Sequence, residues 1–378
     1  MRILIYSSLY PAHWTPIHGI FVKELVRHLS ALTHVTTLVP ENGWRTLGLY
    51  HASHPRQSGS DTSELRCRFW TIPKLWKGLD ASLMALCTKA MFEEALHTQP
   101  DLVHAHYAYP DAAAAAILAR QAKLPLVVTC HGSDLNVLTR YPTRRAIIAR
   151  ELNNADAVVT VSPDLADKAA ALGVAPARIH IIANGVDIQR FTPGDKTEAR
   201  RRLGLHEEGP LLLAVGRLEP VKGYDRLLKA ISSMSNVRLI LAGQGSLGNA
   251  LQQQTRELRI VDRVRFAGPV SHDNLAVYFQ AADCLVISSH SEGWPTVIHE
   301  ALACGTPVVA PAVGGIPTAL ADHRLGIVLP SGEAHHLCAG IRQALNTSWE
   351  QSIMTKHVEQ FHWHNIARKH INLYNKLL

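Results

Sequence analysis

Short apolar runs alternate with helical runs along this chain, and the alternation starts twice. Met1–Ser7 reads as a strand, Phe21–Leu32 as a helix with Phe21, Leu25, Val26 and Leu29 on one face, and Val35–Val39 as a second strand. Further strands are expected at Asp101–Ala105, Leu126–Cys130, Ala157–Val161 and Arg178–Ile182. The pattern then restarts at Leu211–Val215 and runs through Val237–Ala242, Val264–Phe266, Cys284–Ile287, Val308–Ala310 and Gly326–Leu329. Strands that are apolar throughout and separated by helices belong in parallel sheets covered on both faces. The expected fold class is therefore α/β, with two Rossmann-like, doubly wound parallel-sheet domains. A length of 378 residues suits two such domains. The expected division is 1–190, 191–360 and a terminal helical stretch at 361–378, with Phe191–Gly209 as the connection.

Two stretches fit the alternation poorly. Glu41–Arg68 is polar and turn-rich and is expected to be irregular. Leu75–Leu96 is expected to be helical, with Trp76, Leu79, Leu83, Leu86, Ala90 and Met91 as its apolar stripe, flanked by Lys74, Lys77 and Lys89. Such a stripe faces a core in most proteins and a membrane surface in some. Composition narrows the class. The chain is 47% hydrophobic and 18% charged, which excludes a disordered chain. The net charge of +7 is spread evenly over both halves, so no basic tail marks a nucleic-acid partner. The six cysteines form no CxxC pair and stand singly in apolar contexts, as buried reduced thiols do. The opening strand has no signal-peptide pattern, and no run of 18 apolar residues exists. A cytoplasmic protein is expected, with peripheral contact at the inner face of the membrane as the further option.

Chemistry concentrates in a few loops. Ser288–Pro311 reads as a loop, a helix from Thr296 to Cys304 and the start of a strand, with carboxylates at Glu292 and Glu300. A helix N-terminus offers unpaired N–H groups to an anion, and a carboxylate farther in accepts hydrogen bonds from a diol. Gly216–Gly223 carries Arg217 and Lys222 at a strand's carboxyl end, where open α/β sheets bind ligands and where two cations suit a diphosphate. A solvated loop with two exposed charges would read the same. Gly243, Gly245 and Gly248 make a literal GxGxxG with Asp262 nineteen residues after the first. It follows the second strand of its half rather than the first, so a dinucleotide site is not expected. His104 and His106 lack a third ligand at useful spacing, so no metal is expected there. With Tyr107 and Asp111 they are read as lining a cleft. Asp134 suits an N-cap as well as a site, His299 is read as facing solvent, and His362-Trp363-His364 as surface or packing.

Taken in order, GRLEPVKG, LAGQG, FAGPV and SEGWPTVIHEALACGTPVVA resemble the C-terminal domain of glycosyltransferase family 4. HGIFVKEL, PDLVHAHYAYPDAAAA, HGSD and NGVD..F resemble its N-terminal domain and crossing, so the likeness spans almost the whole chain. The resemblance implies the GT-B fold, two Rossmann-like domains facing a cleft, with residues from about Phe361 packing back on the first. It implies a retaining transferase that uses a nucleotide diphosphate sugar as co-substrate and no cofactor. Arg217 and Lys222 would grip the diphosphate, and Glu300 the ribose. Glu292 would lie by the donor sugar, with the N–H groups of Thr296 and Val297 near the phosphates. Gly216 belongs to the same loop, and Gly268 to Val270 would flank the base. Gly19 would allow close approach to the phosphates, and His131 would point at the sugar. His106, Tyr107 and Asp134 are the acceptor-side candidates. Pro295 departs from the family's glycine and removes one N–H. The sequence contains no Asp-x-Asp, the usual cation holder of metal-dependent transferases, so no metal is expected. The acceptor is expected to be a glycan, a lipid-linked molecule or a small molecule. A GT-B-type epimerase, a phosphorylase and a non-catalytic nucleotide-sugar-binding protein remain as alternatives.

Overall fold

A computed structural model of the chain describes residues 1–12, 15, 18–45, 62–72, 76–205 and 209–378. The chain forms two compact units, Met1–Asn184 with Trp363–Leu378, and Gly185–His362. Each is a parallel sheet wrapped by helices.

In the first unit the strands are β1 (Arg2–Tyr6), β2 (His34–Asn42), β3 (Thr62–Phe69), β4 (Leu102–His106), β5 (Leu126–Cys130), β6 (Ala157–Thr160) and β7 (Ile179–Ile181). Their order across the sheet is β3-β2-β1-β4-β5-β6-β7. Every pairing is parallel, and the register sets Ile5 opposite His104 and His106 opposite Thr129. The winding reverses between β1 and β4, so the loops after these strands flank the switch point, the usual ligand position of such sheets. Ile3, Ile5, Val22 and Leu25 share one core with Trp363, Ile366 and Tyr374 of the helix Trp363–Tyr374. Trp363 is thus a buried packing residue.

The second unit holds β8 (Leu211–Val215), β9 (Arg238–Ala242), β10 (Val264–Gly268), β11 (Cys284–Val286), β12 (Val308–Pro311) and β13 (Gly326–Leu329), in the order β10-β9-β8-β11-β12-β13. All pairings are again parallel, and the reversal falls between β8 and β11. The terminal helical stretch divides at residues 360–362. Gln351–Glu359 stays with the second unit and Trp363–Tyr374 joins the first.

Two expectations are corrected. Part of the stretch expected to be irregular is strand β3, paired with β2 over its full length. It is an edge strand, and its polar residues hid it. Arg66 bridges Glu41 and Glu64, while Leu65 and Phe69 turn into the core. Such charges blunt an exposed sheet edge. Residues 46–61 of that stretch lie outside the described residues. The helix expected from Leu75 begins at Asp80 and ends at Leu96, and it buries the opposite face from the expected one. Ala81, Met84, Ala85, Thr88, Phe92 and Ala95 are buried, while Trp76, Leu79 and Leu86 are 69%, 49% and 71% exposed. Small residues alternate with Met84 and Phe92 on the buried face and let this helix sit close to its neighbours, while Leu86 faces outward. Lys74 and Leu75 lie outside the described residues.

Candidate active site

In the second unit, the loops after β8 and β11 bring together two of the candidate groups. Lys222 Nζ stands 2.7 Å from Glu292 Oε1, and Ser289 Oγ donates to the same oxygen at 2.5 Å. Both charged side chains are mostly buried. The backbone locks the loops to each other. Ser288 Oγ donates to the Lys222 carbonyl at 2.8 Å, and His290 N to the Val221 carbonyl at 2.8 Å. Arg217 is exposed on the same loop as Lys222, beside Glu219. Glu219 accepts from Ser246 N and Oγ, and these bonds hold its carboxyl below the usual range. Thr296 and Val297 open the helix Thr296–Ala303, whose N-terminal N–H groups lack intrahelical partners by geometry.

The glycines of the GxGxxG have a packing role. A Cβ on Gly243 would lie 1.8 Å from the Gly216 carbonyl oxygen, and one on Gly245 2.5 Å from that of Leu218. These residues let the loops after β8 and β9 touch, which accounts for the motif without a dinucleotide. Gly268 has φ 68°, and its carbonyl accepts from Gly243 N at 2.8 Å; Val270 follows, half-buried.

Glu300, 6% exposed, takes a hydrogen bond between its Oε1 and His272 Nε2 at 3.1 Å. Its neighbour His299 does not face solvent. It is fully buried, with Phe361 at 4.2 Å and Trp294 stacked at 5.1 Å between ring centroids. Burial, with His357 nearby, pushes its pKa down to about 3.

The first unit presents a different arrangement. His131 follows β5 directly, and its Nε2 lies 3.1 Å from Nδ1 of His106, the last residue of β4. Phe21 packs on its ring at 4.7 Å. Burial, together with His370, lowers the His131 pKa to about 3, so the imidazole is neutral at ordinary pH. Its Nδ1 is buried with no hydrogen-bond partner. Behind it, His104 joins Thr129 Oγ1 and the Tyr374 hydroxyl, each at 2.7 Å. His104 and His106 are both fully buried, so the picture of a histidine pair lining a cleft is corrected. Burial drives both well below the ordinary imidazole range.

Asp134 is also buried, and backbone amides use its carboxylate. It accepts from the N–H groups of Ala108, His131, Gly132 and Leu135, and so sets the loop after β5. Burial raises its pKa all the same. Tyr107, at φ 82°, shares a hydrogen bond with Ser133 Oγ at 2.9 Å. That φ is unusual for a residue with a side chain and marks local strain at the end of β4. Gly19 is required by its own loop, since a Cβ there would sit 2.2 Å from the Leu9 carbonyl carbon. Asp111 accepts from Ser8 N and Oγ, and burial pushes its carboxyl up to about 7. Sequence reading missed Ser8, Ser289, Arg190 and His272. Each is a common residue in a loop or turn; the partners of Ser8, Arg190 and His272 lie far away in sequence, and Ser289 reaches Glu292 three residues on within one polar loop. Among the described residues, no group of three or more His, Cys, Asp or Glu side chains is placed to hold a metal ion.

Two doubly wound parallel sheets with polar groups gathered at their switch points define the GT-B class. A family model for glycosyltransferase family 4 matches residues 18–190, and one for glycosyl transferases group 1 matches 195–361. The chain belongs to this glycosyltransferase family. It is 33% identical over 320 residues to a D-inositol 3-phosphate glycosyltransferase of Mycobacteroides abscessus, over 79% of this chain and 72% of that one. It is 38% identical over 293 residues to a protein of the same name from Geodermatophilus obscurus, over 71% of this chain and 64% of that one. Among solved structures, sucrose-phosphate synthase from Thermosynechococcus elongatus superimposes with a TM-score of 0.82 at 25% identity, over 99% of this chain and 98% of that one. Anabaena HepE in complex with UDP-glucose gives 0.76 at 21% identity, over 99% of each chain, a likeness of fold.

Proposed function

We propose that this protein is a retaining, metal-independent glycosyltransferase that moves a hexosyl group from a nucleotide diphosphate sugar to an acceptor. The ion pair of Lys222 with Glu292 carries the proposal, because it sets a cation and an acid side by side at the switch point of the second sheet. Glycosyl transfer passes through an oxocarbenium-like state while negative charge gathers on the leaving diphosphate. Arg217, Lys222 and the N–H groups at Thr296 and Val297 supply positive potential for that charge, the task a cation held by Asp-x-Asp performs elsewhere. Glu292, released from Lys222 when the diphosphate arrives, takes the sugar hydroxyls. Glu300 takes the ribose. Neutral His131, with Nδ1 unpartnered, serves as a hydrogen-bonding group for the sugar rather than as a fixed cation.

The relatives' names make a phosphorylated polyol such as inositol 3-phosphate the first acceptor to test, and the structural neighbour's ligand makes UDP-glucose the first donor. Thermal-shift screening of UDP, GDP, ADP and their sugars selects the base, since a ligand of the folded state raises stability with its affinity. Transfer is then measured with donor plus acceptor, donor alone and donor plus phosphate. Product only with acceptor supports the transferase. Interconversion of the donor alone would identify an epimerase, and consumption that requires phosphate a phosphorylase.

A peripheral contact with an anionic membrane surface is part of the proposal. Trp76, Leu79 and Leu86 stand exposed beside Lys77 and Lys89 on the first unit. Apolar side chains flanked by lysines suit the headgroup region. No helix among the described residues is long and apolar enough to cross a membrane.

A further inference from the structure

Glu300 does not stand alone. His272 contacts it from the loop after β10, and Arg190 contacts His272 from the segment that opens the second unit. Arg190 Nη1 lies 2.5 Å from His272 Nδ1, and His272 Nε2 lies 3.1 Å from Glu300 Oε1. A guanidinium has only donors. The Arg190 contact therefore requires a lone pair on Nδ1, which places the ring proton on Nε2. From there it is donated to Glu300 Oε1, 3.1 Å away. The direction of the chain is fixed by chemistry: Arg190 donates to His272, and His272 donates to Glu300.

The upstream end is anchored as well. Arg190 pairs with Asp273 through Nε at 3.3 Å and with Asp187 through Nη2 at 3.8 Å. Asp187 Oδ1 accepts from Gln189 N and Arg190 N at 3.0 and 3.1 Å. The His272 ring is held edge-on to Phe191, with centroids 5.1 Å apart.

We infer that His272 is a positioning residue for the nucleotide: it claims Oε1 of Glu300, fixes the plane of the carboxylate and leaves Oε2 for the ribose diol. The inference rests on the reading of Glu300 as the ribose grip. A carboxylate held in one plane discriminates a diol from a single hydroxyl more sharply than a rotating one, because less freedom is lost on binding. His272 therefore sets the preference for ribose over deoxyribose without touching the ligand.

The test uses the full chain with UDP, GDP and ADP, each beside its 2′-deoxy counterpart, with affinities measured by calorimetry. The unmodified protein should favour the ribonucleotide by about tenfold. Glu300→Ala should erase that preference. His272→Leu should reduce it to about two- to threefold with diphosphate-dependent affinity retained, and His272→Gln, which has both an acceptor and a donor, should restore it. If Glu300→Ala keeps the full preference, the ribose reading fails and the inference falls with it. If Glu300→Ala erases the preference and His272→Leu keeps it, the positioning role alone is overturned. If His272→Gln fails where His272→Leu also fails, the ring is needed for packing against Phe191 and the inference is overturned. Nitrogen-15 spectra of the histidine-labelled protein read the tautomer without any substitution; a proton on Nδ1 of His272 would overturn the inference.

Discussion

The polar groups at the carboxyl ends of the two sheets are handled in opposite ways. In the first unit they are dry and mostly uncharged: the His131, His106 and His104 rings are neutral, Asp111 has its carboxyl raised to about 7, and the Asp134 carboxylate is filled by amides. In the second unit they are charged and matched, as Lys222 with Glu292 and as the line from Arg190 through His272 to Glu300. The first arrangement has shape but little charge to give. The second holds charges that a ligand can take over. A neutral sugar asks for the former and an anionic diphosphate for the latter.

The sharpest way to break this contrast is to remove one group from each side. His131→Ala and Glu292→Ala should each lower turnover by about a hundredfold or more, with nucleotide affinity nearly unchanged. Steady-state rates beside calorimetry check it; wild-type rates in both variants would remove these residues from the reaction. Next in size, Lys222→Ala should weaken nucleoside diphosphate binding about tenfold or more, in keeping with a lost charge-assisted contact. Affinity for the bare nucleoside should stay put, and an equal loss for both would count against a phosphate role.

The contrast also predicts two responses to pH. His131 and His370, with folded pKa values lowered to about 3, bind fewer protons than in the unfolded chain, so their stability contribution is complete above about pH 6.5 and is lost as pH falls toward 3. Asp111 runs the other way. Its raised value means stability is greatest in acid and declines as pH rises through about 7. Urea unfolding should therefore show a net loss of stability from pH 7 to pH 5, since the buried histidines outnumber Asp111. Asp111→Asn should be better tolerated at pH 8 than at pH 5, because only at pH 8 does it relieve a buried charge. An effect independent of pH would contradict the raised carboxyl. The smallest expected effect lies on the surface. Leu86→Glu should lower binding to vesicles of anionic lipid by a few fold at low salt, measured by co-sedimentation, with catalysis on a soluble acceptor unchanged.

Much of the fold was legible because buried parallel strands are written as continuous apolar runs. Strand β3 escaped because an edge strand is half polar. The buried face of the helix Asp80–Leu96 escaped because Ala81, Ala85, Thr88 and Ala95 leave little hydrophobic signal, while Leu79 and Leu86 leave a strong one on the wrong side. In the site, Arg217, Lys222 and Glu292 were legible as charged residues in loops at strand ends. That Lys222 and Glu292 meet was not, since 70 residues separate them. His272 was invisible for the same reason, an ordinary histidine in a turn until the fold sets it against Glu300. His299 misled because its neighbour is polar; three aromatic rings close around it instead.

The helix Trp363–Tyr374 carries a consequence for how the protein is made. The second unit is continuous in sequence, and residues 185–362 contain all of it. The first is not, because Trp363, Ile366 and Tyr374 complete a core begun by Ile3 and Ile5. On the ribosome, chains fold as their parts emerge. The half translated first must then wait, with an apolar face open beside β1, while the half translated later closes on itself. Completion of the first core thus depends on residues synthesised after the whole of the second unit.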